Sequence, residues 1–351
     1  MRKPWIQAVL ISITVLCIFP WAGCGSPSQP VMAESGAAQT ESLPTPAVTP
    51  TVTETPQPTA VSLPESLTII SDGNVCGGYV DGKWLTQTEA ASYLDGPVTF
   101  HTYNLLGEGE AGESKGVSYT EDEYVYGSTK DYPGSGSGLY TLELDGWGSD
   151  PQSYSEDPLE YYYLYHVGAD SVPDITVVED TAEVKAIIQD MLNDQFGKDA
   201  PEAEIIIAVS ADIDADGEQE TVVNAANDEQ NVYEYYADKP LYCISCVIES
   251  SGEVVVIDEF YLDAEEAVSE YNDQLSEEDY ESDDEVVYEE GDDIAFYTYI
   301  PFFYVQNIID LDHDGVCELV MFSEAWEASD VTVLTYDGKT VNEVLIYGWG
   351  V

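Results

Sequence analysis

Apolar residues between Asp180 and Gly197 recur at helical spacing. Val184, Ile187, Ile188, Met191 and Leu192 stand at i, i+3, i+4, i+7 and i+8. That gives a helix one apolar face and predicts that it packs on a sheet. Asp180-Thr181-Ala182-Glu183 reads as its capping box and Gly197 as its stop. A shorter helix is predicted to open at Thr86-Gln87-Thr88-Glu89 and to end at Asp95-Gly96. Much of the remaining chain has the rhythm of strands. LTIISD, PVTFHTYNLL, GLYTLELDGW and LEYYYLYHVG are aromatic and β-branched runs set between Gly, Asp and Ser clusters. Asp81-Gly82, between CGGYV and KWL, predicts a tight hairpin.

Residues 24–66 carry no such rhythm. Pro, Thr, Ser and Ala dominate, and TPAVTPTVTETPQPTAVSLP has too little apolar surface to bury. The segment reads as a disordered tether with polyproline II character. A helical pattern at residues 264–275 is followed by carboxylates crowded without fixed spacing at residues 277–293, which predicts a solvated acidic insert. The expected organisation is a leader at 1–23, the tether at 24–66, a small β-rich domain at 67–176 and a second domain at 177–351. The fold class is mainly β with a few helices (α+β).

Within the second domain one pattern occurs twice. Asp212, Asp214, Asp216, Gly217 and Glu220 form D-x-D-x-D-G-x-x-E, and Asp310, Asp312, Asp314, Gly315 and Glu318 form it again. Both copies lie between apolar runs, so an internal duplication is the simplest source. Alternating carboxylates around a glycine turn suit a hard cation, which takes six to eight oxygens in forgiving geometry. Positions 1, 3, 5 and 9 offer carboxylates, and position 7 (Glu218 or Val316) offers a backbone carbonyl. The acid that an EF-hand needs at position 12 is missing, because Val223 and Met321 stand there. Two calcium sites between strands are therefore expected, with a structural role.

DIDADGEQETVV and DLDHDGVCELV resemble the FG-GAP and VCBS repeats. That resemblance implies calcium-binding loops joining neighbouring strands of propeller-blade-like meanders. The family carries a second glycine at position 4, where this chain has Ala215 and His313. Two meanders are expected, with the helix packed on them. Two widely separated copies do not make a closed propeller. Their hairpin turns are predicted at Ser251-Gly252 and Asp337-Gly338.

Charge narrows the partners. The chain has 69 acidic against 9 basic residues. Nucleic acid is excluded as a partner, since phosphate binding needs Lys and Arg. Arg2 and Lys3 precede a short apolar stretch that ends in small residues, the grammar of a secretory leader. Trp21-Ala22-Gly23-Cys24 is similar to a bacterial lipobox. That likeness implies cleavage before Cys24, a lipid on its sulfur, and an extracytoplasmic protein anchored to the cell membrane. Cys76, Cys243, Cys246 and Cys317 are too sparse for a disulfide scaffold. Cys243 and Cys246 sit in a strand-like run, where i and i+3 point to opposite faces, so both are expected to be buried fillers.

No HExxH, nucleophile elbow or phosphate loop is present, and His101, His166 and His313 are isolated. His313 is expected to point outward from its loop. The functional expectation is a non-enzymatic calcium-binding surface lipoprotein that binds a cell-wall glycan or a protein ligand. The alternative is a carbohydrate-binding or hydrolytic surface protein that uses the tyrosine-rich β-domain.

Overall fold

Among the described residues the apolar runs form strands whose sheets stack on their apolar faces. The computed structural model describes residue 64 and residues 66–122, 124–130, 132–135, 138–144, 163–167, 172–227, 235–236, 240–263, 295–296, 301–325 and 328–350. The expected leader, Cys24, nearly all of the tether, the helical pattern at 264–275 and the acidic insert lie outside these residues. Residues 57–351 belong to one compact unit.

The first half of that unit runs β1 (Thr68–Ser71), β2 (Val75–Val80), β3 (Lys83–Thr86), α1 (Gln87–Ala91), β4 (Val98–Asn104), β5 (Gly107–Thr120), β6 (Val125–Thr129), β7 (Tyr132–Ser135), β8 (Leu139–Leu144), β9 (Tyr163–Val167) and β10 (Thr176–Val177). The second half runs α2 (Ala182–Phe196), β11 (Ile205–Ala211), β12 (Glu220–Ala226), β13 (Tyr235–Tyr236), β14 (Leu241–Ile248), β15 (Val254–Leu262), β16 (Ala295–Phe296), β17 (Phe302–Ile309), β18 (Glu318–Ala325), β19 (Ala328–Tyr336) and β20 (Val341–Gly350). The fold is mainly β, with several sheets and none of them closed. Three larger sheets have the orders β3-β2-β1-β9-β4-β5-β8, β10-β11-β12-β14-β15 and β17-β18-β19-β20-β6-β7.

The four strands from β11 to β15 that pair in sequence form one antiparallel meander, and β17 to β20 form another. Their hairpins turn at Gly252 (φ +83°) and Gly338 (φ +80°), as the sequence predicts. Alternation on β12 and β14 separates two apolar faces. Val222, Ala226, Cys243 and Val247 pack towards Val305, Leu319 and Leu334 of the second meander. Val223, Ala225, Ile244 and Cys246 pack towards Val184, Ile188 and Leu192 of α2. Cys243 and Cys246 thus lie on opposite faces of β14, both buried and free. The other face of the second meander, with Val320, Val331, Val333 and Leu345, packs on Ile70, Cys76, Trp84 and Tyr103.

Strand pairing crosses the expected boundary at 176/177. β6, from the first half, hydrogen-bonds to β20 and extends the second meander's sheet. Gly77 of β2 lies against Leu345 of β20, where an added Cβ would meet the leucine methyls at 2.8 Å. The capping box at Thr86 and Glu89 forms as expected. The one expected at Asp180–Glu183 does not. Thr181 is the N-cap, with ψ near 8° and no side-chain cap bond, because this backbone is not the extended one from which a cap side chain reaches back. Asp180 instead accepts the Ala182 N–H at 3.3 Å.

One side chain ties the two meanders directly. Asn224 Nδ2 donates to the Val305 carbonyl at 2.9 Å, and the Val305 N–H donates to Asn224 Oδ1 at 3.0 Å. Ser245 Oγ donates to the same oxygen at 2.8 Å. All of this is buried. Asn224→Ala strands a buried backbone donor and acceptor and is expected to cost about 2 kcal/mol or more. Urea unfolding measures it, and an unchanged midpoint would contradict the bridging role.

Candidate metal centre

Each acidic loop starts where a buried strand ends. The first joins β11 to β12, and the second joins β17 to β18. The two turn alike. Position 4 is left-handed in both, at φ +61° for Ala215 and +61° for His313, and position 6 follows with Gly217 at +91° and Gly315 at +95°. Left-handed backbone disfavours side chains with a Cβ, so its recurrence at two non-glycine positions marks a shared loop geometry. Carboxylates hold the turns. Asp214 accepts the Asp216 N–H at 3.2 Å, and Asp312 accepts the Asp314 N–H at 3.1 Å. Asp216 and Asp314 accept the Glu218 and Val316 N–H groups, each at 2.8 Å.

Two triads of carboxylates result. Asp212, Asp214 and Glu220 bring ligand oxygens within 4.8 Å of one another, and so do Asp310, Asp312 and Glu318. Positions 1, 3 and 9 are thus gathered. The position-5 aspartates, Asp216 and Asp314, are exposed, stand outside both triads and fasten position 7 instead. The glutamates are the innermost members, with Glu220 1% and Glu318 2% exposed. Glu220 Oε2 accepts the Ile213 N–H and Glu318 Oε2 accepts the Leu311 N–H, both at 2.7 Å. Asp310 also accepts from the Asp314 and Gly315 N–H groups.

The electrostatics of this arrangement favour a cation. Burial pushes Glu318 up to about 8; the Leu311 N–H opposes this, and Asp312, Asp310 and Asp314 add to it. Burial also raises Glu220, with Asp214, Glu249 and Asp216 acting in the same direction. Asp312 is raised by burial and by Asp314, and the pull of Lys130 does not cancel this. Asp212 Oδ1 is buried and has no hydrogen-bond partner among the described residues, a costly state for a carboxylate oxygen unless a cation meets it. An all-oxygen donor set of this kind fits calcium.

The loops also touch each other and the rest of the unit. The Cys317 N–H donates to the Ile213 carbonyl at 2.8 Å, and Asp212 and Asp310 line one open cleft of about 570 Å3. Gly338, at the hairpin of the second meander, lies so close to Asp214 that a Cβ would stand 2.7 Å from its Oδ2. His313 does not point into solvent as expected. Its Nε2 lies 3.1 Å from Thr68 Oγ1 of β1, because the first sheet covers this side of the loop. The Cys317 thiol is pushed up to about 12 by burial and by Asp310, and its sulfur is not among the ligand atoms gathered in either triad. No local signal announced the contacts of Thr68 and Gly338, which come from strands distant in sequence. No family model, curated protein or solved structure matches the chain.

The raised Glu318 has a pH signature. With metal chelated, the native state keeps a proton on Glu318 that the unfolded chain has lost. The native state then binds more protons, and stability falls as pH rises from about 4.5 to about 8. Glu318→Gln is expected to remove this part of the slope. Equal slopes for the two proteins in denaturant titrations across that window would falsify the assignment.

Proposed function

We propose that the chain is a lipid-anchored, extracytoplasmic, calcium-binding protein that acts as an adhesion or ligand-binding module and not as an enzyme. The observation that carries this reading is the duplicated triad. Two loops of the same sequence pattern share their backbone turns and their position-1, 3 and 9 carboxylates. In this reading they are FG-GAP/VCBS-like calcium loops, and the two four-stranded meanders correspond to propeller-like blades in a domain at 177–351. The β-rich stretch at 67–176 lends β6 to the second meander's sheet and belongs to the same compact unit. Cys24 carries the lipid, and residues 24–66 hold the folded unit away from the bilayer. The ligand is a cell-wall glycan or a protein.

A bound calcium ion supplies charge neutralisation to three carboxylates at each loop. Its role is structural, since the triads close the junctions of β11 with β12 and β17 with β18, and metal affinity then adds to folding stability. At a free calcium concentration a hundredfold above Kd, one site adds about 2.7 kcal/mol.

Calorimetry on the full-length chain is expected to show two calcium sites. Asp212→Ala and Asp310→Ala should each lose one, and chelation should lower Tm. Two sites retained in either variant, or a Tm indifferent to chelator at low salt, would overturn the proposal. The anchor is tested separately by intact mass. The mature protein should begin at Cys24 with a diacylglycerol mass, and Cys24→Ala should release it from membranes. An unmodified mature terminus elsewhere removes the lipid.

A further inference from the structure

Where β18, β19 and β20 pass the end of the first sheet, the seam opens into a cavity of about 240 Å3. Phe322, Tyr347 and Trp349 line it together with Asp72, Asp122 and Asp330. Register explains the aromatic wall. Phe322 faces Val331, and Val331 faces Tyr347, in one row across the three strands. Trp349 follows two residues beyond Tyr347 on the same side of β20. It is 41% exposed, and Tyr124 meets it edge-on at 6.5 Å.

Among the described residues, no Lys, Arg or His lines this cavity. Its carboxylates are fixed from behind. Asp72 accepts the Asn74 N–H at 2.8 Å, Asp122 accepts the Tyr124 N–H at 2.9 Å, and Asp330 is held by Tyr126 and Ser323. Burial raises Asp72, and burial together with Cys76, Asp72 and Asp122 raises the Tyr347 phenol, which stays protonated. An anion is repelled here. A hard metal ion gains little from rings and finds all-oxygen triads elsewhere on the chain. A neutral polyol leaves the carboxylates uncompensated. A positive charge on an apolar body uses the exposed Trp349 ring and the carboxylates together.

We propose that this cavity is a binding site for an organic ammonium group, quaternary or primary, carried on a small aliphatic body. It shares no residue with the two carboxylate triads, so it stands whether or not they hold calcium.

The test is calorimetry on the full-length chain, with ionic strength held constant by sodium chloride and the titration repeated in chelator. The probes are choline, n-butylammonium, glucose and 3,3-dimethylbutan-1-ol, which has choline's shape without its charge. Saturable one-to-one binding of choline or butylammonium is expected, with none for the alcohol. Tighter choline identifies a quaternary head group, and tighter butylammonium a lysine-like amine. Trp349→Ala and Asp122→Asn should each weaken binding by about tenfold. The proposal fails if no cation binds above the sodium background, if the alcohol binds equally, if glucose alone saturates, or if both variants bind as the parent does.

Discussion

Two buried glutamates set the geometry of the second half of this protein. Glu220 and Glu318 stand at the first residues of β12 and β18, and each accepts a backbone N–H from position 2 of its own loop. A buried carboxyl oxygen that accepts a backbone N–H ties the loop locally. It ties the start of the following strand back to position 2, with one glutamate oxygen within 4.8 Å of oxygens at positions 1 and 3. The same burial that makes the tie rigid makes the charge expensive. The loop thus gathers carboxylates that could hold a metal ion, and the most deeply buried of them holds it in shape.

That constraint extends into the packing. Ile213 and Leu311, whose N–H groups the glutamates hold, have side chains that are fully buried. Ile213 joins the core between the meanders, and Leu311 joins the core under the first sheet. The two clusters lie on opposite faces of the second meander, so each loop reports on a different interface. The Cys317 N–H to Ile213 carbonyl bond then couples the two. Asn224 performs the same service at the strands, filling the hydrogen-bonding needs of Val305 beside the bulge at Gln306. Asn224 is thus a buried polar side chain whose hydrogen bonds are made across the interface between the meanders.

Period-2 alternation shows which face of a strand is apolar, and it located the two sides of β14 correctly through Cys243 and Cys246. The 3.6-residue period located α2 and its buried face. Repeated carboxylate spacing located both triads, apart from position 5, where the side chain serves the turn. What alternation does not carry is the identity of the neighbouring strand. β6, VYGST, pairs with its sequence neighbour β7, yet nothing in its residues says that its other edge pairs with β20. The division at 176/177 was drawn from a change of rhythm, and a sheet shared by both halves leaves no mark on rhythm. His313 shows the same limit. Its place in the loop predicts an outward side chain, and only the arrival of β1 from 245 positions away converts outward into a contact with Thr68.

The acidic composition acquires a more specific meaning once these sites are placed. A surplus of carboxylates over bases draws cations of every kind to the surface, with little discrimination. Selection arises where the fold adds a second kind of wall. At the loops that wall is backbone, with left-handed turns at positions 4 and 6 that gather oxygens and favour a small, hard ion. At the seam beside Trp349 it is rings of β18 and β20, placed by their register with Val331 of β19, and this favours charge spread over carbon. Both environments depend on stacked sheets holding like charges near one another. The cation that each admits is set by what lies beside the carboxylates, and the carboxylates themselves are common to both.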